Sequence, residues 1–176
     1  MSNKKNKILA LSDHALSTSG VGTQSRHLFT GMVEKGGWSI RQFGAALKHS
    51  DYRTVVVNDD FIIKPIDGFG DRDLIRVTLA TEKPDVLFIF TDPRFFTWLF
   101  EMEDEIRPLI PMVYYHVWDN FPAPVYNKAW YDSTDVIACI SKVTEQVVRE
   151  VAPDHKDVCY LPHTVDTEIF KNHLND

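Results

Sequence analysis

The chain has 176 residues, of which 44% are hydrophobic and 12% aromatic, enough to bury one substantial core, and its length argues for one domain. A net charge of −6 and an isoelectric point near 5.6 argue against nucleic acid or an anionic membrane as the main partner, so any bound phosphate must be held locally. Cys139 and Cys159 have no close spacing to each other or to histidines, which argues against a disulfide framework or a metal site. The apolar run at residues 8–11 is too short for a signal peptide or membrane span, so the expected location is cytoplasmic.

Residues 7–12 (KILALS) read as a strand, followed by a polar glycine loop and an amphipathic helix over 22–35, with Leu28, Phe29, Met32 and Val33 on one face and Gly36-Gly37 as its stop. Residues 38–46 alternate like a strand. Residues 54–58 and 61–65 are two short strand-like pieces, a hairpin or an irregular insertion. Asp71 is placed to cap a helix running to about Glu82, and the Asp71-Arg72-Asp73 acid pair, reminiscent of a metal motif in some sugar transferases, reads as that cap.

Residues 85–90 (DVLFIF) form the next strand. Asp92-Pro93 then starts an aromatic helix expected to run from 94 to 106, with Phe95, Phe96, Trp98 and Phe100 as core packing, or some of them facing a partner domain, and the acids at 101–105 as its solvated end. Residues 110–116 are an apolar, β-rich run ending at His116, beside Trp118 and Asp119. A proline-rich loop at 120–124, a short helix at 125–132, a strand at 135–141, a helix at 142–151 and a last strand at 158–161 complete the chain. Nearly all-apolar strands alternating with helices predict an α/β, Rossmann-like, doubly wound fold, with a mostly parallel sheet and helices on both faces.

In such sheets ligands sit beyond the carboxyl ends of the strands. The loop before the first helix, with Gly20, Val21, Gly22 and Thr23, combines free N–H groups, a helix dipole and glycines, and is either an anion cradle or a plain tight turn. It lacks the third glycine and ribose-binding acid of a dinucleotide site and the lysine of a P-loop. His116 ends its strand at the same edge, where an imidazole can donate and accept, although a buried core histidine is the alternative. Asp13 and His14 reach that edge from the first strand. No serine elbow or cysteine–histidine pair supports hydrolase chemistry.

The segments SGVGTQSRHLFTGMVEKGG, YYHVWD, STDVIACISKVTEQVVRE and YLPHTVDTEIF, in that order, resemble the N-terminal half of retaining glycosyltransferases of the GT-B fold (glycosyl transferase group 1, family 4 type), a group that includes many bacterial mannosyl- and glucosyltransferases. The resemblance spans nearly the whole chain; it departs at His163-Thr164, where the family has Asn-Gly. It implies an acceptor-binding domain over 1–162 and, over 163–176, the start of a linker to a C-terminal donor domain carrying basic phosphate-binding residues and paired glutamates. This fragment alone is then expected to be inactive. It further implies a nucleotide-sugar donor, a carbohydrate, lipid or protein acceptor, no metal and no other cofactor. His116 would hydrogen-bond the transferred sugar, Gly20–Thr23 would approach donor phosphates or acceptor, and Asp13, His14, Asp119 and Ser141 would line the cleft. The competing expectation is a stand-alone Rossmann-like domain binding a phosphorylated small molecule without catalysis. A nicotinamide-dependent oxidoreductase is a weaker third reading.

Overall fold

A computed structural model describes residues 4–46, 48 and 50–171. Its strands are β1 (Asn6–Asp13), β2 (Trp38–Ala45), β3 (Val55–Asn58), β4 (Phe61–Pro65), β5 (Val86–Thr91), β6 (Met112–His116), β7 (Val136–Cys139) and β8 (Val158–Tyr160). They form one eight-stranded sheet in the order β3-β4-β2-β1-β5-β6-β7-β8. All neighbours are parallel except β3 and β4, which make the antiparallel hairpin at the edge. The helices are α1 (Gly20–Lys35), α2 (Arg72–Glu82), α3 (Thr97–Phe100), α4 (Glu103–Ile106), α5 (Lys128–Asp132) and α6 (Lys142–Val151). The architecture is therefore the expected α/β, Rossmann-like one.

Alternate residues of each strand serve opposite layers. Leu9, Leu11, Leu87, Ile89, Tyr114, Ile137 and Cys139 face a core completed by α2 to α6. Ile8, Ala10, Ile40, Phe88, Phe90, Tyr115 and Ala138 face the other core, where α1 supplies Phe29. Phe29 lies edge-on to Phe61 and Phe88, at 5.7 and 5.8 Å between ring centres. The layers are unequal: among the described residues five helices cover one face and one covers the other.

Three acids mark strand starts. Asp85 exchanges backbone and carboxylate bonds with Lys7, and Asp135 does the same with Met112, each carboxylate accepting the neighbouring strand's N–H at 2.7 and 2.8 Å. Asp157, just before β8, accepts from Ile137 through its carbonyl. These bonds set the register of the parallel strands at the amino edge.

The sequence expectation for 94–106 is corrected. Instead of one helix, a 3-10 turn (Pro93–Phe96) is followed by α3 and α4, with breaks at Phe96 and Met102. The buried set is Phe96, Leu99, Phe100, Met102 and Ile106. At about 100° per residue these five positions would share one arc of roughly 160° on a straight helix, so the apolar spacing alone does not reveal the breaks at Phe96 and Met102. The helix expected at 125–132 likewise divides into a 3-10 turn (Val125–Asn127) and α5. Asp71 does cap α2, accepting from the Leu74 N–H at 2.9 Å. Of the expected linker at 163–176, residues 172–176 lie outside the described residues, and no helix among the described residues is long and apolar enough to cross a membrane.

Candidate functional site at the carboxyl edge of the sheet

β1 has β2 on one side and β5 on the other, so the connections leaving their carboxyl ends diverge between β1 and β5. A crevice at such a point is where open α/β sheets bind ligands. The loop after β1 is held by a buried polar network. Gln42 Nε2 donates to Ser12 Oγ (2.6 Å) and to the Asp13 carbonyl (2.8 Å), its Oε1 accepts from Ala15 N (3.2 Å), and Ser25 Oγ donates to Ser12 Oγ (3.1 Å). Asp13, 8% exposed, accepts from Ser19 Oγ at 2.7 Å, while Ser19 caps α1 by accepting from Gly22 N at 2.9 Å. His14 accepts from Leu16 N through Nδ1 and rests against Gly44.

The two glycines of this loop are not equivalent. A Cβ on Gly22 would lie 2.1 Å from Ser17 Oγ and 2.6 Å from the His14 carbonyl oxygen, so Gly22 is required by the protein's own packing. A Cβ on Gly20 would meet nothing within 4 Å. Val21 and Thr23 are half-buried, with the Thr23 N–H bonded to the Ser19 carbonyl. The Asp13 carboxylate behind the loop opposes an incoming phosphate, and the Ser19 cap already satisfies one of the first-turn donors.

His116 is fully buried, on the five-helix face of β6. Its Nδ1 lies 2.9 Å from the Tyr114 hydroxyl and its Nε2 lies 2.8 Å from the Tyr131 hydroxyl. Tyr114 in turn donates to the Thr91 carbonyl (2.9 Å), and Asn127 Nδ2 donates to the Tyr131 oxygen (3.2 Å). The carbonyl can only accept, so every proton in this chain has one direction. Tyr114 accepts from Nδ1–H, Nε2 accepts from Tyr131, and His116 is the neutral Nδ1–H tautomer. Burial agrees, pushing the imidazole pKa down to about 3 against a smaller opposite pull from Asp92. The two tyrosines are pushed up, mainly by burial. As folded, His116 therefore offers no polar atom to a ligand; the open surface lies one layer above it, where the Trp118 ring sits 6.2 Å from its own.

That layer is a cleft of about 430 Å³ beyond β5, β6 and β7, lined by Asp92, Arg94, Trp118, Asp119 and Tyr126 among others. Asp92 caps the Pro93–Phe96 turn through the Arg94 N–H, and the Arg94 Nε is 2.9 and 3.0 Å from its two carboxylate oxygens, with Nη2 bonded as well. Burial raises the Asp92 carboxyl, but these bonds outweigh it and leave the group below its ordinary range. Ser141 caps α6 through the Thr144 N–H (3.0 Å) and lies 2.9 Å from Thr144 Oγ1, whose own proton goes to the Trp118 carbonyl (2.7 Å). Ser141 thus acts on the cleft by fixing the Trp118 loop. Asp119 is exposed in the cleft wall.

Beyond β8 the chain returns across the α1 face. The Tyr115 hydroxyl donates to the Leu161 carbonyl (3.0 Å), and the Gln24 amide exchanges bonds with the backbone of Thr164 (2.8 and 3.3 Å). His163 packs edge-on to Phe90 and Tyr115.

The structure brings Asp13, Gly20, Gly22 and Ser19 into one loop and puts Asp119 in the cleft, with Ser141 behind its Trp118 loop and His116 beneath it. Asp92, Arg94 and Tyr126 are cleft residues that the sequence reading did not single out. Asp92 was legible only as a helix cap, and no spacing rule connects it with Tyr126. Tyr114, by contrast, stands two residues before His116 in a strand and so shares its face by the strand period. No protein-family model matches the chain, and no curated protein matches it.

Proposed function

We propose that this chain is the acceptor-side half of a retaining GT-B glycosyltransferase, transferring a sugar from a nucleoside diphosphate to an acceptor hydroxyl. The observation that carries the reading is the cleft at the carboxyl edge, with an aromatic wall, a carboxylate and a capped acid–arginine pair, set beside the divergence of β1 and β5. The exposed Val165, Ile169 and Phe170 of the trailing segment fit a chain that continues against a further domain. That domain would hold most of the donor. In the reaction the anomeric carbon loses its bond to the diphosphate and gains one to the acceptor oxygen on the same face, while the acceptor proton departs. The developing charge on the diphosphate needs electrostatic stabilisation, which the donor half must provide, because the α1 terminus here is backed by Asp13.

His116 enters this reading conditionally. A sugar hydroxyl reaches its Nε2 only by displacing the Tyr131 hydroxyl, so Tyr131 is expected to gate the contact. The reading is tested by assaying the protein, together with whatever is encoded beyond Asp176, for nucleotide release from UDP-glucose and GDP-mannose. Turnover that falls at least a hundredfold in His116→Ala, with the Tyr131→Phe variant folded and altered in rate, supports it. Absence of turnover with both donors, or full activity in folded His116→Ala, overturns it. A non-catalytic domain for a phosphorylated molecule remains the second reading; the exposed Gly20 favours it and the Asp13 carboxylate opposes it.

A further inference from the structure

We propose that the cleft bounded by Asp92, Arg94, Trp118, Asp119 and Tyr126 binds an uncharged sugar, by its hydroxyls and its C–H face, and is not built for a phosphorylated ligand. What is done with the sugar rests on the transferase reading; the binding claim rests on the cleft.

Arg94 is the only Lys, Arg or His among the described residues lining the cleft, and it is folded onto Asp92 through both carboxylate oxygens. The pair is close to neutral, and Asp119 leaves the cleft with a net negative charge. A phosphate entering here meets an excess carboxylate and a cation already neutralised, whereas a hydroxyl meets acceptors on Asp92 and Asp119 and unused guanidinium N–H groups.

Trp118 and Tyr126 meet edge-to-face, 6.3 Å between ring centres at 70°. The Trp118 Nε1–H is already donated to the Asn120 carbonyl at 3.0 Å, so the indole offers the cleft a π face and no donor. Its backbone is held by Thr144, which keeps the ring in place before a ligand arrives. A half-buried π face beside carboxylates matches the amphipathic surface of a pyranose, apolar on its C–H side and polar at its rim. The cleft volume, about 430 Å³, lies in the range of small-molecule sites.

The test is a titration of the ¹⁵N-labelled chain with glucose, mannose, galactose and the 6-phosphate of each, following the Trp118 indole resonance, which a Trp118→Phe variant identifies. The expected result is a saturable shift with at least one neutral hexose, a 6-phosphate that binds no tighter than its parent, and at least a threefold loss in Asp119→Asn, whose exposed side chain can be changed without disturbing the core. No shift with any of the six, an affinity unchanged in Asp119→Asn, or a 6-phosphate more than twofold tighter than its parent overturns the proposal. The last outcome leaves the transferase reading intact with a phosphorylated acceptor. Conversely, a hexose that binds at Trp118 in a protein that turns over neither nucleotide-sugar donor removes the transferase reading and leaves this site standing.

Discussion

Two polar networks lie at the same edge of the sheet and are built on opposite plans. The one under the glycine loop, through Ser12, Gln42 and Ser25, is branched, and its periphery at Ser19 and Gly20 opens to solvent. The one through Asn127, Tyr131, His116, Tyr114 and Thr91 is a single unbranched chain, and at its centre His116 is entirely enclosed. Branching lets one bond be lost while its neighbours keep partners. A one-way chain has no such reserve: removing any member leaves a buried donor or acceptor unmade, which costs roughly 1–3 kcal/mol per group. Position near a functional edge therefore does not make a polar residue accessible.

The largest loss is expected for His116→Ala, which opens a cavity, leaves the Tyr131 hydroxyl proton without its acceptor and takes from the Tyr114 oxygen its donor. A loss on the order of 3–5 kcal/mol is expected in urea unfolding, against about 1 kcal/mol for Ser25→Ala in the branched network. Equal losses would show that the two networks do not differ as described.

Acid probes the same enclosure without mutation. The folded pKa of His116, about 3, lies below the unfolded value near 6.5, so the unfolded chain binds the extra proton between those limits. Stability is flat from this group above pH 6.5 and falls on acidification by up to about 1.4 kcal/mol per pH unit until pH 3. Carboxylates whose pKa is depressed, such as Asp92, act in the same direction at lower pH. The part due to His116 is the difference from a His116→Gln variant, whose pH profile should be shallower between pH 6 and 4. Parallel profiles would mean that the imidazole is not buried as a neutral group.

The glycines sharpen the contrast within the loop. Gly22→Ala should destabilise by about 1–3 kcal/mol through overpacking against Ser17 and the His14 carbonyl. Gly20→Ala should change stability by less than about 0.5 kcal/mol, so any loss of ligand binding in that variant reports approach of the ligand to Gly20. Removal of the α1 cap by Ser19→Ala falls between them, at about 1 kcal/mol in thermal or urea unfolding.

Much of the architecture was legible because it depends on local chemistry. Apolar runs of strand length, Asp71 as a cap, and the Gly36 stop are decided within a few residues. Asp85, Asp135 and Asp157, each followed by valine at a strand start, were a further legible signal that the sequence reading passed over. The hairpin of β3 and β4 was one of two options, and its pairing with β2 required a partner 21 residues away. The long aromatic helix failed because its buried residues fit one helical stripe as well as they fit three short turns, and the choice between them is made by the core they must fill.

The amino-acid order thus determined the alternation of strand and helix, the buried identity of the strands and the placement of His116, Asp119 and the glycine loop at one edge, since side-chain period and capping act over short range. Folding in three dimensions decided which of those residues reaches solvent. Tyr131 and Asn127 close over His116 from a different element, Arg94 folds back onto Asp92 beside Tyr126, and Ser17 fills the space that leaves Gly22 without room for a side chain. The closure over His116 and the approach of Tyr126 to Asp92 join segments whose separation in sequence carries no periodic signal, so the enclosure or openness of a polar group is settled by packing.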